Sequence, residues 1–160
     1  IMKRLLFIVI LPIISLFAFA QPTKSTIVVS EGLYFTDATQ KKLFSGDYRE
    51  YYANGALKVE MRIVDGKPDG SYVVYFSNGK PQEVRSYSKG KLHGTWRTYN
   101  EAALLIAEAQ YLNDQKHGKW KIWDDNGILR YEMNYTNGKK TGIWYMWDDK
   151  GKLVSKKMYK

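Results

Sequence analysis

The chain contains no cysteine, and only two histidines and four prolines among 160 residues. Without cysteine no disulfide staples the fold and no thiolate can hold a structural zinc ion. The histidines, His93 and His117, lie 24 residues apart, each one residue before an equivalent glycine, and no third histidine completes a metal site. They read as turn residues. A Gly-rich phosphate loop and a nucleophile elbow are also absent, and the Gly-Lys pairs fall where hairpin turns are expected. The acidic pairs Asp124-Asp125 and Asp148-Asp149 recur at equivalent places and read as turn-leading residues, not as a general acid and base. The expectation is a protein without catalytic residues, cofactor or metal.

The one long apolar run opens the chain. Lys3 and Arg4 precede Leu5 to Ala20, which is interrupted by Pro12 and Ser15 and closes on Ala18-Phe19-Ala20. A basic start, an apolar centre and a small-x-small close describe a cleaved signal peptide over residues 1–20, with Met2 as initiator. A spanning helix needs about 20 apolar residues, and Pro12 sits mid-run, so no stable membrane insertion is expected after cleavage. No cysteine follows the cleavage site, which excludes a lipoprotein anchor there. The protein is expected to be exported, periplasmic or secreted. Its net charge is +9, or +7 without Lys3 and Arg4. A basic surface favours acidic partners. Here the lysines cluster in turns (Gly66-Lys67, Lys89-Gly90-Lys91, Lys139-Lys140, Lys156-Lys157) and no arginine cluster appears. The charge therefore reads as solubility, and nucleic acid is not an expected partner.

What the chain does have is a period. Gly46, Gly70, Gly94, Gly118 and Gly142 are spaced 24 residues apart without a slip, the mark of a repeat array. Each opens Gly-x-aromatic-x-x-aromatic. The first aromatics are Tyr48, Tyr72, Trp96, Trp120 and Trp144; the second are Tyr51, Tyr75, Tyr99, Trp123 and Trp147. With each glycine as position zero, positions eight and nine are Asn54-Gly55, Asn78-Gly79 and Asn126-Gly127, the strongest short hairpin signal, which predicts two-residue type I′ turns. The third repeat has Ala102-Ala103 there and should have a different or looser connection. A glycine at position twenty (Gly66, Gly90, Gly138) ends the return strand, with Asp114 in its place in the third repeat.

Counting outward from a two-residue turn, position five faces twelve, two faces fifteen, and the opening glycine faces seventeen. Position seventeen is Ile63, Tyr87, Tyr111, Tyr135 or Tyr159, so a ring is laid across the glycine. Alternation sends positions two, eleven, thirteen, fifteen and seventeen to an apolar face, and the second aromatics to a mixed, charged face. The second repeat is weakest on the apolar face, with Pro81, Glu83 and Arg85. Residues 101–109 are locally helix-prone, but the registry should hold Leu105, Ala107 and Ala109 in a strand.

The glycine-aromatic hairpins and the closing Gly66-Lys67-Pro68-Asp69-Gly70 and Gly90-Lys91-Leu92-His93-Gly94 resemble the MORN-repeat variant family, which in bacteria includes antitoxin-like proteins of the YwqK type. The resemblance covers Gly46 to Tyr159. The stretch from Gly32-Leu33-Tyr34 to Leu43-Phe44-Ser45 resembles the half-repeat that leads into such arrays. The resemblance implies an all-β fold: an elongated, single-layer antiparallel meander of stacked β-hairpins. The domain reading is a signal peptide at 1–20, a lead-in at 21–45, and repeats at 46–69, 70–93, 94–117, 118–141 and 142–160.

Two kinds of partner are expected. A one-layer sheet leaves its apolar face open unless it meets another protein or a second copy in a homodimer, which points to an interaction scaffold in the cell envelope. The alternative is a ladder of the second aromatics, Tyr51, Tyr75, Tyr99, Trp123 and Trp147, binding an envelope glycan or choline, with Trp123 and Trp147 best placed beside their aspartates.

Overall fold

The computed structural model describes residues 27–160. The signal peptide expected at 1–20 and the start of the lead-in lie outside the described residues. Two short strands, β1 (Val28–Ser30) and β2 (Leu33–Phe35), form their own hairpin. Ten strands then follow in one antiparallel sheet whose spatial order is the chain order. They are β3 (Gly46–Tyr51), β4 (Leu57–Val64), β5 (Lys67–Tyr75), β6 (Pro81–Ser88), β7 (Lys91–Tyr99), β8 (Leu105–Leu112), β9 (Gln115–Trp123), β10 (Leu129–Thr136), β11 (Lys139–Trp147) and β12 (Leu153–Tyr159). This is the expected meander. Of the helix-prone stretch 101–109, residues 105–109 are strand in β8 and the rest form the hairpin turn, because pairing on both sides outweighs a weak local propensity.

The glycine register is as expected: Gly46 faces Ile63, Gly70 Tyr87, Gly94 Tyr111, Gly118 Tyr135 and Gly142 Tyr159. The pairing of positions five and twelve does not occur. Tyr51 faces Leu57, Tyr75 Pro81, Tyr99 Leu105, Trp123 Leu129 and Trp147 Leu153, all at position eleven, across a bulge that recurs in each hairpin.

The turn explains the shift. In the first hairpin the Tyr52 amide donates to the Ala56 carbonyl at 2.8 Å and the Gly55 amide to the Tyr52 carbonyl at 2.9 Å. Gly55 has φ 83°, while Asn54 is not among the positive-φ residues. This is a three-residue loop, a type I turn closed by a left-handed residue, and not the expected type I′ turn. The type I′ turns lie at the other edge, between hairpins. There Asp65-Gly66 (φ 47° and 72°), Lys89-Gly90 (50° and 81°) and Asn137-Gly138 (48° and 81°) place both central residues at positive φ.

The third hairpin also departs from expectation, because its turn is the same as the others. Asn100 N–H donates to the Leu104 carbonyl at 3.0 Å and Ala103 N–H to the Asn100 carbonyl at 2.8 Å, with Ala103 at φ 68°. A side chain holds it there: Asn100 Oδ1 accepts the Ala102 amide at 3.1 Å and the Leu104 amide at 3.0 Å. Asp124 and Asp148 cap the next two turns in the same way. In the first two repeats Asn54 and Asn78 cap from two residues further on.

Successive repeats are tied at the type I′ edge. Gly66 N–H donates to the Phe44 carbonyl at 2.8 Å, Gly90 to Pro68 at 2.8 Å, Asp114 to Leu92 at 2.9 Å and Gly138 to Lys116 at 2.8 Å. The lead-in joins the same edge, with Tyr34 N–H donating to the Gly66 carbonyl at 3.0 Å. It also covers one end of the apolar face. Tyr34 and Phe44 pack over Val59, Met61 and Ile63, and Ile63 is fully buried. Beyond this capped end only Ala109 and Tyr135 are buried among the described hydrophobic residues.

Candidate functional site

The two sheet faces carry different chemistry. On one, a row of paired residues crosses all ten strands. It begins Arg49–Glu60, passes Val73–Val84, continues Arg97–Glu108–Lys121–Glu132 and ends Tyr145–Lys156. Arg97 Nε lies 2.8 Å from Glu108, Arg49 Nε 3.6 Å from Glu60 and Lys121 Nζ 3.9 Å from Glu132. Such exposed pairs contribute about 0–1 kcal/mol each, so this face is solvated and its ion pairs add little to stability beyond favouring the register.

The other face carries rings in contact. Trp96, Tyr111, Trp120, Tyr135, Trp144 and Tyr159 form an unbroken series, with centroids 5.7, 5.2, 5.2, 5.2 and 4.8 Å apart. The alternation of position two and position seventeen builds it, because the bulge at each repeat glycine brings the next indole beside the preceding tyrosine. Two of the indoles are fastened: Trp120 Nε1 donates to the Gln110 carbonyl and Trp144 Nε1 to the Asn134 carbonyl, both at 3.0 Å. Gly118 suits this place because its φ is 64°, a left-handed conformation that L side chains rarely adopt, and a Cβ would also displace the end of the Gln110 side chain. Burial raises the Tyr111 and Tyr135 phenols above their ordinary pKa.

Lysines lie over this series. Lys116 Nζ is 4.4 Å from the Trp120 ring centre and 5.1 Å from Tyr135; Lys140 Nζ is 4.6 Å from Trp144 and 5.3 Å from Tyr159. The second repeat keeps its own ring pair, Tyr72–Tyr87 at 5.8 Å, but among the described residues no ring contact joins it to Trp96, and an ion pair lies at the break. Arg85 stacks 5.2 Å from Tyr72 and 4.3 Å from Trp96 while bonding Glu83.

The residues the sequence singled out as a ligand ladder are arranged differently. Among the described residues no ring contact joins any two of Tyr51, Tyr75, Tyr99, Trp123 and Trp147. Tyr51 is 59% exposed. Tyr75 lies on the charged face and bonds Glu60 at 2.6 Å; burial and this bond push its phenol up to about 12. Trp147 stacks on Tyr145 at 5.7 Å. Of the aspartates beside Trp123 and Trp147, Asp124 and Asp148 are occupied by turn amides and Asp125 accepts from Asn100 Nδ2 at 3.2 Å, while Asp149 makes no side-chain bond among the described residues. The Asp124 carboxyl is held below its usual range: partial burial opposes this, but the Ile128 and Asn126 amides and Arg130 outweigh it. The connected ladder is the one on the opposite face. The sequence signal for it is the pairing of position seventeen with the repeat glycine, which within one hairpin implies only a cover for that glycine.

His93 and His117, expected in turns, lie instead inside strands β7 and β9, because the two-residue turns close before them, with His93 Nδ1 3.4 Å from Asn113 Oδ1. Among the described residues no cluster of three His, Asp or Glu side chains is placed to hold a metal ion.

Comparison with known proteins gives a match to a family model described as MORN repeat variant, over residues 44–65, 68–89, 116–137 and 140–160. The matched segments make up more than half of the chain. The gap from 90 to 115 holds the third hairpin, with Ala102-Ala103 and Asp114. No curated protein matches the chain.

Proposed function

The chain belongs to the MORN repeat variant family, and from that premise we propose that its array is a non-catalytic scaffold for protein–protein interaction, exported and working in the cell envelope. The observation that carries this reading is the asymmetry of the apolar face. Its first repeats are covered by Tyr34 and Phe44, whereas the series from Trp96 to Tyr159 has no second layer among the described residues. Ile122, Tyr131 and Met146 are each more than a third exposed beside it. A contiguous exposed apolar surface of this kind is characteristic of a protein interaction site. The signal-peptide pattern of residues 1–20 supports export. The antitoxin-like label of the bacterial relatives names no residue and adds nothing to the assignment.

A second reading, an envelope-glycan module, draws on the stacked Tyr145–Trp147 pair on the charged face. Sugars stack on such ring surfaces. Choline fits less well, because a quaternary ammonium is held by several rings around one point and no two of the second aromatics are in contact among the described residues.

The test is to immobilise the full chain, pass an envelope extract of the native organism over it, and identify what is retained. One enriched protein supports the scaffold. Polysaccharide retained without protein replaces it with the glycan module.

A further inference from the structure

Position by position, the apolar face changes character along the array. In the first two repeats it carries carboxylates: Glu50, which accepts the Tyr48 hydroxyl at 2.6 Å, and Glu83, which pairs with Arg85. At the equivalents of Glu50 the later repeats have Thr98, Ile122 and Met146, and at those of Glu83 they have Ala107, Tyr131 and Ser155. The acids are gone. Cations arrive in the same stretch. Lys116 and Lys140 stand where the earlier repeats have Phe44, Pro68 and Leu92, and Lys157 stands where they have Met61, Arg85, Ala109 and Met133. All three ammonium groups lie on ring faces of the series, Lys157 at 5.0 Å from Tyr159, and none makes an ion pair among the described residues.

Two hollows lie along this stretch. One, about 180 Å³, sits over Ala107 and Ala109 between Trp96 and Trp120. The other, about 260 Å³, lies between Met133, Trp144 and Met146 and is bordered by Lys157. Their lining is mostly apolar, and the lysines stand beside them.

We propose that the face of repeats three to five docks an acidic amphipathic segment of a partner protein, its apolar side chains in the two hollows and its carboxylates on Lys116, Lys140 and Lys157. The proposal rests on the scaffold reading and names the chemistry of its partner. Charge complementarity selects the occupant: unpaired cations on apolar ring faces are matched by carboxylates flanking apolar residues. It also disfavours a second copy of this chain. A two-fold dimer centred on repeats three to five sets this patch against itself, lysines against lysines, and the one carboxylate lining a hollow, Glu108, is already engaged by Arg97 at 2.8 Å. Separate hollows fit side chains better than the even surface of a lipid leaflet.

The full chain is titrated, by its tryptophan fluorescence, with a short peptide alternating leucine and glutamate and with its leucine–lysine counterpart. The expected result is saturable binding of the glutamate peptide, weakened by salt and at least about tenfold tighter than that of the lysine peptide, equivalent to about 1.4 kcal/mol. Lys116→Glu/Lys140→Glu, at exposed positions, should reverse the preference, and Ile122→Glu should abolish binding of both. Equal binding of the two peptides, or binding unchanged by these variants, overturns the proposal. So does tighter binding to phosphatidylserine vesicles than to peptide, which assigns the face to lipid, or a dimer that dissociates with Ile122→Glu, which assigns it to a second copy. An envelope protein still retained by the Ile122→Glu chain overturns this docking site while leaving the scaffold reading in place.

Discussion

The indole N–H of Trp120 donates to the main-chain carbonyl of Gln110 at 3.0 Å, reaching from the fourth repeat into the third. Trp144 repeats the bond to Asn134, again at 3.0 Å, but the buried Trp96 Nε1 has no partner. The same residue type at the same repeat position therefore makes different contributions. Trp120→Ala removes ring contacts with Tyr111 and Tyr135 together with the bond, and should destabilise by about 2–4 kcal/mol in a chemical denaturation. Trp120→Phe should cost about 1 kcal/mol more than Trp96→Phe, because only the former loses a hydrogen bond. Equal costs would remove the bond from the account.

Ala103 occupies a left-handed conformation, φ 68°, that Gly55, Gly79, Gly127 and Gly151 occupy in the other repeats. The strain of a Cβ there is about 1–2 kcal/mol, partly offset by the greater freedom of glycine in the unfolded chain. Ala103→Gly should raise stability by about 1 kcal/mol, read as a higher melting temperature. A lowered melting temperature would contradict the turn assignment.

Glu83 and Arg85 form an ion pair set among rings, with side chains 21% and 24% exposed. The first repeat solves the same positions with Val59 and Met61. Arg85→Met alone strands the carboxylate and should cost about 2 kcal/mol, less than for a fully buried pair. Glu83→Val/Arg85→Met should recover native stability to within about 1 kcal/mol. Two single substitutions whose costs simply add would show that the pair is not coupled.

Tyr34, Tyr48, Tyr72, Tyr75, Tyr111 and Tyr135 all have phenols raised above the ordinary value, first through burial. A raised folded-state pKa favours the folded chain while the unfolded phenols remain protonated, and that stability is lost as pH rises through the folded values. Stability should hold up to about pH 10 and fall as the pH climbs from there to about 12, with phenolate absorbance rising together with unfolding. Phenolate appearing near pH 10 in a chain that stays folded would count against this burial.

The period told which residues are equivalent, and with alternation that was enough for the stacked hairpins, the glycine register and the apolar face, while the meander order was what the family resemblance implied. It did not tell which turn a given pair of residues makes. Asn54-Gly55 suits a type I′ turn or a type I turn with a left-handed close, and the choice fell to the Asn54 cap on the Ala56 amide. The one-residue difference between those turns moved position five from facing twelve to facing eleven. Ala102-Ala103 looked incompatible because the capping residue, Asn100, lies ahead of the pair and supplies bonds that composition does not reveal. The ring ladder was missed for a related reason. Its contacts run between one repeat and the next, across a bulge, whereas the sequence reading counted pairs within one hairpin.

The most direct test of the central claim compares two variants of the immobilised full chain against the same envelope extract. Ile122→Glu/Tyr131→Lys alters exposed positions on the ladder face, and Arg97→Glu/Lys121→Glu alters the charged face. The account predicts that the ladder-face variant loses the retained protein and the charged-face variant keeps it. Retention by the ladder-face variant together with loss by the charged-face variant would contradict it.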